Sequence, residues 1–255
     1  MIDTHSHLYL EEFDSDRDEA VKRAIEAGVG HLVLPNVDFD TFARMHSMHI
    51  DYPDFTSMAM GLHPTSVTNF NDEYLDQIEV ELGTKNYVAV GEVGLDLYWS
   101  REYIEAQCYV FIKQLFFALM FNLPVIIHCR EALAEIIDLI KRMEPSDRPP
   151  MVFHSFTGTA ADVKRLLRIA DVHFGINGIV TFKNSHLDET VKAIGPERLL
   201  LETDCPYLAP VPFRGKRNES SYVQYVETKV AEILDMPLVE LDAITDHNAR
   251  TVFNI

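Results

Sequence analysis

Six side chains of types that bind transition metals draw attention by their placement: His5, His7, Glu92, His128, His154 and Asp204. The first two belong to the opening stretch Ile2-Asp3-Thr4-His5-Ser6-His7. In an extended strand, residues i and i+2 project to the same face. His5 and His7 are therefore expected side by side, and paired imidazoles suit a transition metal. Two histidines alone decide nothing; the remaining ligands must come from elsewhere. Glu92, His128, His154 and Asp204 each lie just past a short apolar run: Tyr87–Gly91, Pro124–Ile127, Met151–Phe153 and Leu199–Leu201.

Those runs are part of a longer alternation. Strands are expected at Ile2–His7, His31–Pro35, Phe55–Met60, Tyr87–Gly91, Pro124–Ile127, Met151–Phe153, Val172–Ile176 and Leu199–Leu201. Helical patterns fill the intervals: Ser15–Gly28, Phe39–His49, Asp72–Leu82, Tyr103–Phe121, Glu131–Met143, Thr159–Ile169 and Ser185–Ile194. Tyr222–Leu234 and Leu238–Asn254 follow the last strand. Gly28 is a natural helix stop and Thr159 a candidate N-cap. Such alternation predicts parallel strands with right-handed crossovers. Eight units in 255 residues fit an α/β fold of the closed (β/α)8 TIM-barrel type, as one domain over residues 1–255. A doubly wound open sheet would be expected to carry a glycine-rich fingerprint after its first strand, and none is present.

In such a barrel the C-terminal strand ends converge on one face. The six ligands exceed what one tetrahedral zinc needs. They suit two divalent ions: His5, His7 and Asp204 around one, His128 and His154 around the other, and Glu92 bridging. Two ions can lower the pKa of a water and stabilise both oxygens of a displacement at phosphorus. Asp204 is placed to orient that water and take its proton. His63, in Gly61-Leu62-His63-Pro64 after the third strand, is expected to touch substrate rather than metal. His31, His46, His49, His173, His186 and His247 read as structural or exposed. Arg130, Lys183, Arg214, Lys216 and Arg217 form a local basic set for phosphate, and Tyr98, Trp99 and Phe182 are candidates to stack on bases.

The bulk composition sets limits on partners. The formal charge is −18, so a polyanion is not expected to be bound by the whole surface. The basic set and bound cations would have to meet it locally. Cys108, Cys129 and Cys205 form no disulfide framework and fit a reducing cytosol, and Cys129 and Cys205 are expected in the core. No apolar run is expected to span a bilayer and no export signal is apparent, which points to a cytoplasmic protein that does not engage membranes.

With these residues in view, the chain resembles the TatD family of metal-dependent hydrolases, in the amidohydrolase-like barrel group, along nearly its whole length. The resemblance is carried by Ile2-Asp3-Thr4-His5-Ser6-His7, Gly61-Leu62-His63-Pro64 and Gly91-Glu92-Val93-Gly94-Leu95-Asp96. It continues in Pro124-Val125-Ile126-Ile127-His128-Cys129-Arg130, His154-Ser155-Phe156-Thr157-Gly158 and Leu200-Leu201-Glu202-Thr203-Asp204-Cys205-Pro206-Tyr207. Arg214-Gly215-Lys216-Arg217-Asn218-Glu219 and Asn248-Ala249-Arg250 complete it. The resemblance implies a TIM barrel and a divalent-metal-dependent deoxyribonuclease, often a 3′→5′ exonuclease. It matches the six ligands one for one, with two ions of Mg, Mn or Zn. DNA, as single strands or ends, would be the substrate. Two departures are Tyr9, where the family often has Asp or Asn, and Ser220 after Glu219, where it often has Pro; neither is expected to touch a ligand. A metal-dependent hydrolase of an acyl, amide, lactone or aminoacyl-tRNA ester bond is the alternative, since the same activated water can attack carbon.

Overall fold

Eight runs rich in aliphatic residues become strands that pair in the order in which the chain makes them. They are β1 (Ile2–Asp3), β2 (His31–Pro35), β3 (Thr56–Met60), β4 (Tyr87–Asp96), β5 (Val125–Arg130), β6 (Met151–Phe153), β7 (Val172–Ile176) and β8 (Leu199–Leu201). The computed structural model describes residues 1–69, 72–84 and 87–255. Every neighbouring pair from β1 to β8 is parallel. The last strand also returns to the first: the Thr4 N–H donates to the Leu201 carbonyl at 3.0 Å, and Ser6 makes a parallel bridge with Cys205. This is the expected (β/α)8 barrel. Its described helices are α1 (Arg17–Glu26), α2 (Phe39–Asp51), α3 (Asp72–Leu82), α4 (Ile104–Phe121), α5 (Leu133–Arg142), α6 (Ala160–Leu166), α7 (Asp188–Ile194), α8 (Val223–Leu234) and α9 (Leu238–Phe253).

Side-chain alternation along the strands builds two cores. Ile2, Val33, Ala59, Ala89, Ile126, Val152 and Leu200 face inward, and Ala249 and Phe253 of α9 pack against them. The alternate strand residues, among them Leu32, Leu34, Val90, Val125, Ile127, Phe153 and Phe174, face the helices. Burial on both faces is why these strands read as nearly unbroken apolar runs. The inner core is apolar, and the candidate metal-binding side chains lie beyond it, towards the C-terminal strand ends.

Several boundaries differ from those read in the sequence, for local reasons. Regular pairing of β1 ends at Asp3, although His7 N–H still reaches the Cys205 carbonyl at 3.0 Å. Glu131 and His186 have φ of +53°, outside the helical region, so α5 and α7 start later than expected. Gly28, with φ +89°, follows the end of α1, and Thr159 closes a capping box with Asp162 at the start of α6. A correction concerns α4: its 18 residues average a hydropathy of 1.4, long and apolar enough to cross a membrane by length and composition. Here its buried face, including Val110, Phe111 and Leu115, is part of the barrel's outer core. Of the cysteines only Cys205 is fully buried; Cys108 and Cys129 are half-buried, so the core expectation was too strong for Cys129.

Candidate metal centre

The elements deliver the six residues in different ways. His5 and His7 leave β1 while its backbone is held between neighbours: Ser6 N–H donates to Val33, and Asp204 N–H donates to the His5 carbonyl at 2.9 Å. The buried Asp3 carboxylate ties the same two segments, accepting from Thr203 N–H at 2.9 Å and Thr203 Oγ1 at 2.7 Å. Burial pushes its pKa up to about 6 despite those donors. On β4, Val90 lies opposite Val125 but Val93 lies opposite Ile127. β4 thus takes three steps where β5 takes two, and this extra residue is a bulge that re-aims a side chain. Glu92 lies within it. Gly94 follows with φ +143°, where a Cβ would meet the His128 carbonyl oxygen at 2.0 Å. Only glycine lets β4 pass that close to β5. His128 lies within β5, His154 directly follows β6, and Asp204 comes three residues after β8 in the left-handed conformation, φ +58°.

Glu92 is the centre of the cluster, with its two oxygens facing different partners. Its Oε2 lies 3.1 Å from His5 Nε2 and 3.6 Å from His7 Nε2. The two imidazole nitrogens are 3.1 Å apart, and Asp204 Oδ1 is 3.8 Å and 3.6 Å from them. Its Oε1 lies 2.7 Å from His154 Nε2, 2.8 Å from His128 Nδ1 and 3.2 Å from His63 Nε2. Donors bound at roughly 2.1 Å around one ion stand about 3.0–3.4 Å apart in octahedral or tetrahedral geometry. The observed spacings bracket that range, so the residues fit a metal on each side of Glu92. The candidate donor groups are His5/His7/Asp204, His5/Glu92/His154 and His63/Glu92/His128. His63 therefore belongs to the cluster, at ligand distance from Glu92. His5 sits between the halves, its ring stacked on His154 at 3.9 Å between centroids.

The electrostatics follow from burial and from these neighbours. Burial alone would raise Glu92, but His154, His63 and His5 outweigh it and hold the carboxyl well below its ordinary range. Asp204 is likewise lowered: burial opposes, and the hydrogen bond to His7 together with His5 and His154 prevails. Burial, then the neighbouring His154, pushes His5 down to about 4. His128 moves the other way, to about 9. Burial lowers it, but hydrogen bonds to Asp96 and Glu92 prevail. A cation on the Glu92 side would compete with that proton, as expected for a metal ligand.

Residues around the cluster set ring orientation. The Tyr9 hydroxyl donates to the Pro35 carbonyl, so its oxygen accepts from His7 Nδ1, 2.9 Å away. That fixes the His7 proton on Nδ1 and leaves the Nε2 lone pair for a metal. Tyr9 therefore does contact a candidate ligand, contrary to the sequence expectation; it is fully buried behind the site. Ser220, the second departure, contacts no candidate ligand but bonds Ser6 Oγ at 2.9 Å between His5 and His7. Asp96 Oδ2 holds His128 Nε2 at 3.0 Å, the carboxylate–histidine pairing typical of metal sites. Asp96 appears in the β4 motif, but nothing in the sequence distinguished its role. Glu202 accepts from Ser155 N–H at 2.5 Å and lies 3.9 Å from His154 Nδ1. It sits against Gly175, where a Cβ would be 2.1 Å from its carboxylate. Burial, together with Asp204 and Asp3, keeps its pKa well above the ordinary range. For His63, the Thr65 N–H donates to Nδ1 at 3.2 Å. Its proton is thereby placed on Nε2, and burial keeps the ring's pKa low. A neutral ring with that tautomer donates from Nε2, which suits an oxygen of Glu92 or of a substrate.

The basic set separates into two kinds. Arg217 is bound by Asp16 at 2.7 Å and 2.8 Å, and Glu219 by Arg23 at 2.6 Å. The Arg214–Glu219 stretch is thus anchored to α1 and its lead-in, and Arg217 is committed there. Arg130 lies over Tyr98, 3.7 Å from the ring centroid, and Arg214 over Phe182 at 4.1 Å. Lys216 approaches the Phe213 ring at 5.8 Å. Lys183 lines a cleft of about 420 Å³ with Phe182, His186 and Lys229. Of the remaining histidines, His31, His46 and His49 are tied to Ser57, Tyr87 and Thr56.

Comparison with known proteins agrees with this construction. A family model described as TatD related DNase matches residues 2–254. The metal-dependent hydrolase YabD of Bacillus subtilis is 38% identical over 256 residues, covering 100% of this chain and 99% of that protein. The 3′-5′ ssDNA/RNA exonuclease TatD of Erwinia tasmaniensis is 32% identical, with 100% of each chain covered. The crystal structure of the TatD homologue YjjV from Escherichia coli superposes with a TM-score of 0.93 at 30% identity, covering 100% of this chain and 98% of that one. The barrel, its histidine and carboxylate cluster and these matches lead to one conclusion: this chain belongs to the TatD related DNase family of metal-dependent hydrolases.

Proposed function

We propose that the chain hydrolyses phosphodiester bonds of single-stranded nucleic acid, with DNA as the main substrate, removing nucleotides from the 3′ end with two divalent cations. The observation that carries this reading is the division of Glu92, whose two oxygens each face a separate group of nitrogen donors. The exonuclease name of the Erwinia relative supports the substrate class. Two cations of Mg, Mn or Zn held by His5, His7, Glu92, His128, His154 and Asp204 would supply a water of lowered pKa and positive charge facing the phosphoryl oxygens. The chain's own groups do the rest. Asp204, kept ionised at the edge of the cluster, accepts the proton of the attacking water. His63 donates from Nε2 to a phosphoryl oxygen. Arg130 offers a guanidinium beside the site, with Arg214, Lys183 and Lys216 further along the rim. Residues 1–255 act as one domain, and the free cysteines suit the reducing cytoplasm.

The test uses a 5′-labelled single-stranded oligonucleotide with Mg²⁺ or Mn²⁺. The expected product is a ladder that shortens from the 3′ end, and His128→Ala is expected to lower the rate by at least about 100-fold through loss of a metal ligand. Intact oligonucleotide alongside turnover of a lactone or aminoacyl ester would overturn the reading in favour of acyl hydrolysis.

A further inference from the structure

We infer that Trp99, backed by Tyr98 and Arg130, is a stacking platform for a nucleobase of single-stranded nucleic acid. The Arg130 guanidinium takes the phosphate beside that base. This inference deepens the nuclease reading above and rests on it. Trp99 is 73% exposed, and it is the chain's one tryptophan. A tryptophan so exposed lends a flat apolar face to solvent at the rim of the site. The face is held rather than loose. Tyr98 meets Trp99 edge-on, with centroids 4.9 Å apart and planes at 85°. Arg130 covers Tyr98 at 3.7 Å and reaches to 5.4 Å from the Trp99 ring. The Tyr98 and Phe182 rings are each covered by an arginine, which leaves Trp99 as the open aromatic face of the three sequence candidates.

The platform is also wired to the metal centre. Tyr98 N–H donates to Asp96 Oδ1 at 3.1 Å, and Asp96 Oδ2 holds His128 Nε2 at 3.0 Å. Three residues of chain reach at most about 11 Å, roughly three stacked bases at 3.4 Å rise. A strand lying on Trp99 can therefore present a nearby phosphate to the cluster. Charge selects the occupant. In a chain of formal charge −18, Arg130 makes no ion pair within 4.0 Å among the described residues, and Asp96 beside it already serves His128. An aromatic face next to an uncommitted arginine suits base and phosphate together, and stacking accepts any base.

Because Trp99 is the sole tryptophan, its emission reports the platform directly. Mg²⁺-loaded protein is titrated with phosphorothioate-linked oligothymidylate, which resists hydrolysis, and with an abasic oligomer of the same length and linkage. Saturable quenching by oligothymidylate and none by the abasic oligomer is expected. Trp99→Ala is expected to weaken binding of a fluorescein-labelled oligothymidylate, read by anisotropy, by about 5- to 150-fold, with Trp99→Phe recovering most of it. Absence of saturable quenching, equal quenching by the abasic oligomer, or an unchanged Kd in Trp99→Ala overturns the inference. Hydrolysis of ordinary DNA by the same preparation separates the two claims. Hydrolysis without quenching overturns the platform alone, and quenching without hydrolysis overturns the nuclease reading alone.

Discussion

Tyr9 illustrates how one hydroxyl can decide what a histidine does. A neutral imidazole has one bare nitrogen, and a metal needs that nitrogen to face it. Tyr9 donates to the Pro35 carbonyl and so must accept from His7 Nδ1, which leaves Nε2 towards Glu92 and Asp204. Asp96 does the equivalent for His128. Thr65 does the reverse for His63, placing the proton on the side of the cluster. These three neighbours separate ligand nitrogens from a donor nitrogen within one group of histidines. Tyr9→Phe keeps the buried ring and removes the acceptor. Metal affinity, measured by competition with a chromogenic chelator, is expected to fall by about 10- to 100-fold. Unchanged affinity would show that the phenol does not orient His7.

At the scale of elements, β4 carries the arrangement, and it also marks where the sequence stops being informative. Alternation of apolar runs with amphipathic stretches disclosed all eight strands, because a strand buried on both faces has to be apolar throughout. The position of His5 and His7 in the first apolar run, and of Glu92, His128, His154 and Asp204 just past later ones, pointed to the cluster, because a parallel barrel brings the C-terminal parts of those runs together; β4 and β5 themselves run on past Glu92 and His128. The extra residue between Val90 and Val93 was hidden. A bulge depends on how two strands register, and register is a property of the pair. Asp96 and Glu202 were equally hidden as partners of His128 and His154, since their contacts cross between strands. The Arg214–Glu219 loop was misleading in one part. Arg217 carries a charge suited to phosphate, but Asp16 near α1 takes it, and no local pattern could place that carboxylate beside it. Gln107 and Gln114 of α4 clamp the backbones of Asp96 and Leu62. In the sequence they are only polar interruptions of an apolar helix.

For the whole molecule, the barrel separates its two ends. The C-terminal strand ends hold the cluster, while near the N-terminal end Glu227, Asp242 and Asp246 gather around the Met1 ammonium, 2.9 Å from Asp242 and 3.5 Å from Asp246. Burial, then the Asp242 charge, pushes Glu227 up to about 7. The folded state therefore holds a proton that the unfolded chain releases near pH 4.5. Stability from this group is present below that pH and is lost as pH rises to 7. Glu227→Gln is expected to stabilise the protein by on the order of 1–2 kcal/mol at pH 8 and by nothing at pH 4. Urea unfolding at the two pH values checks this, and an equal gain at both would refute it. At the other end, the proposed chemistry depends on two cations shared by one carboxylate. Equilibrium dialysis against Mn²⁺ followed by metal analysis tests that claim most directly. Two ions per chain are expected for the native protein and one for the His5→Ala, His7→Ala double variant; a single ion in the native protein, or two retained in the variant, would contradict it.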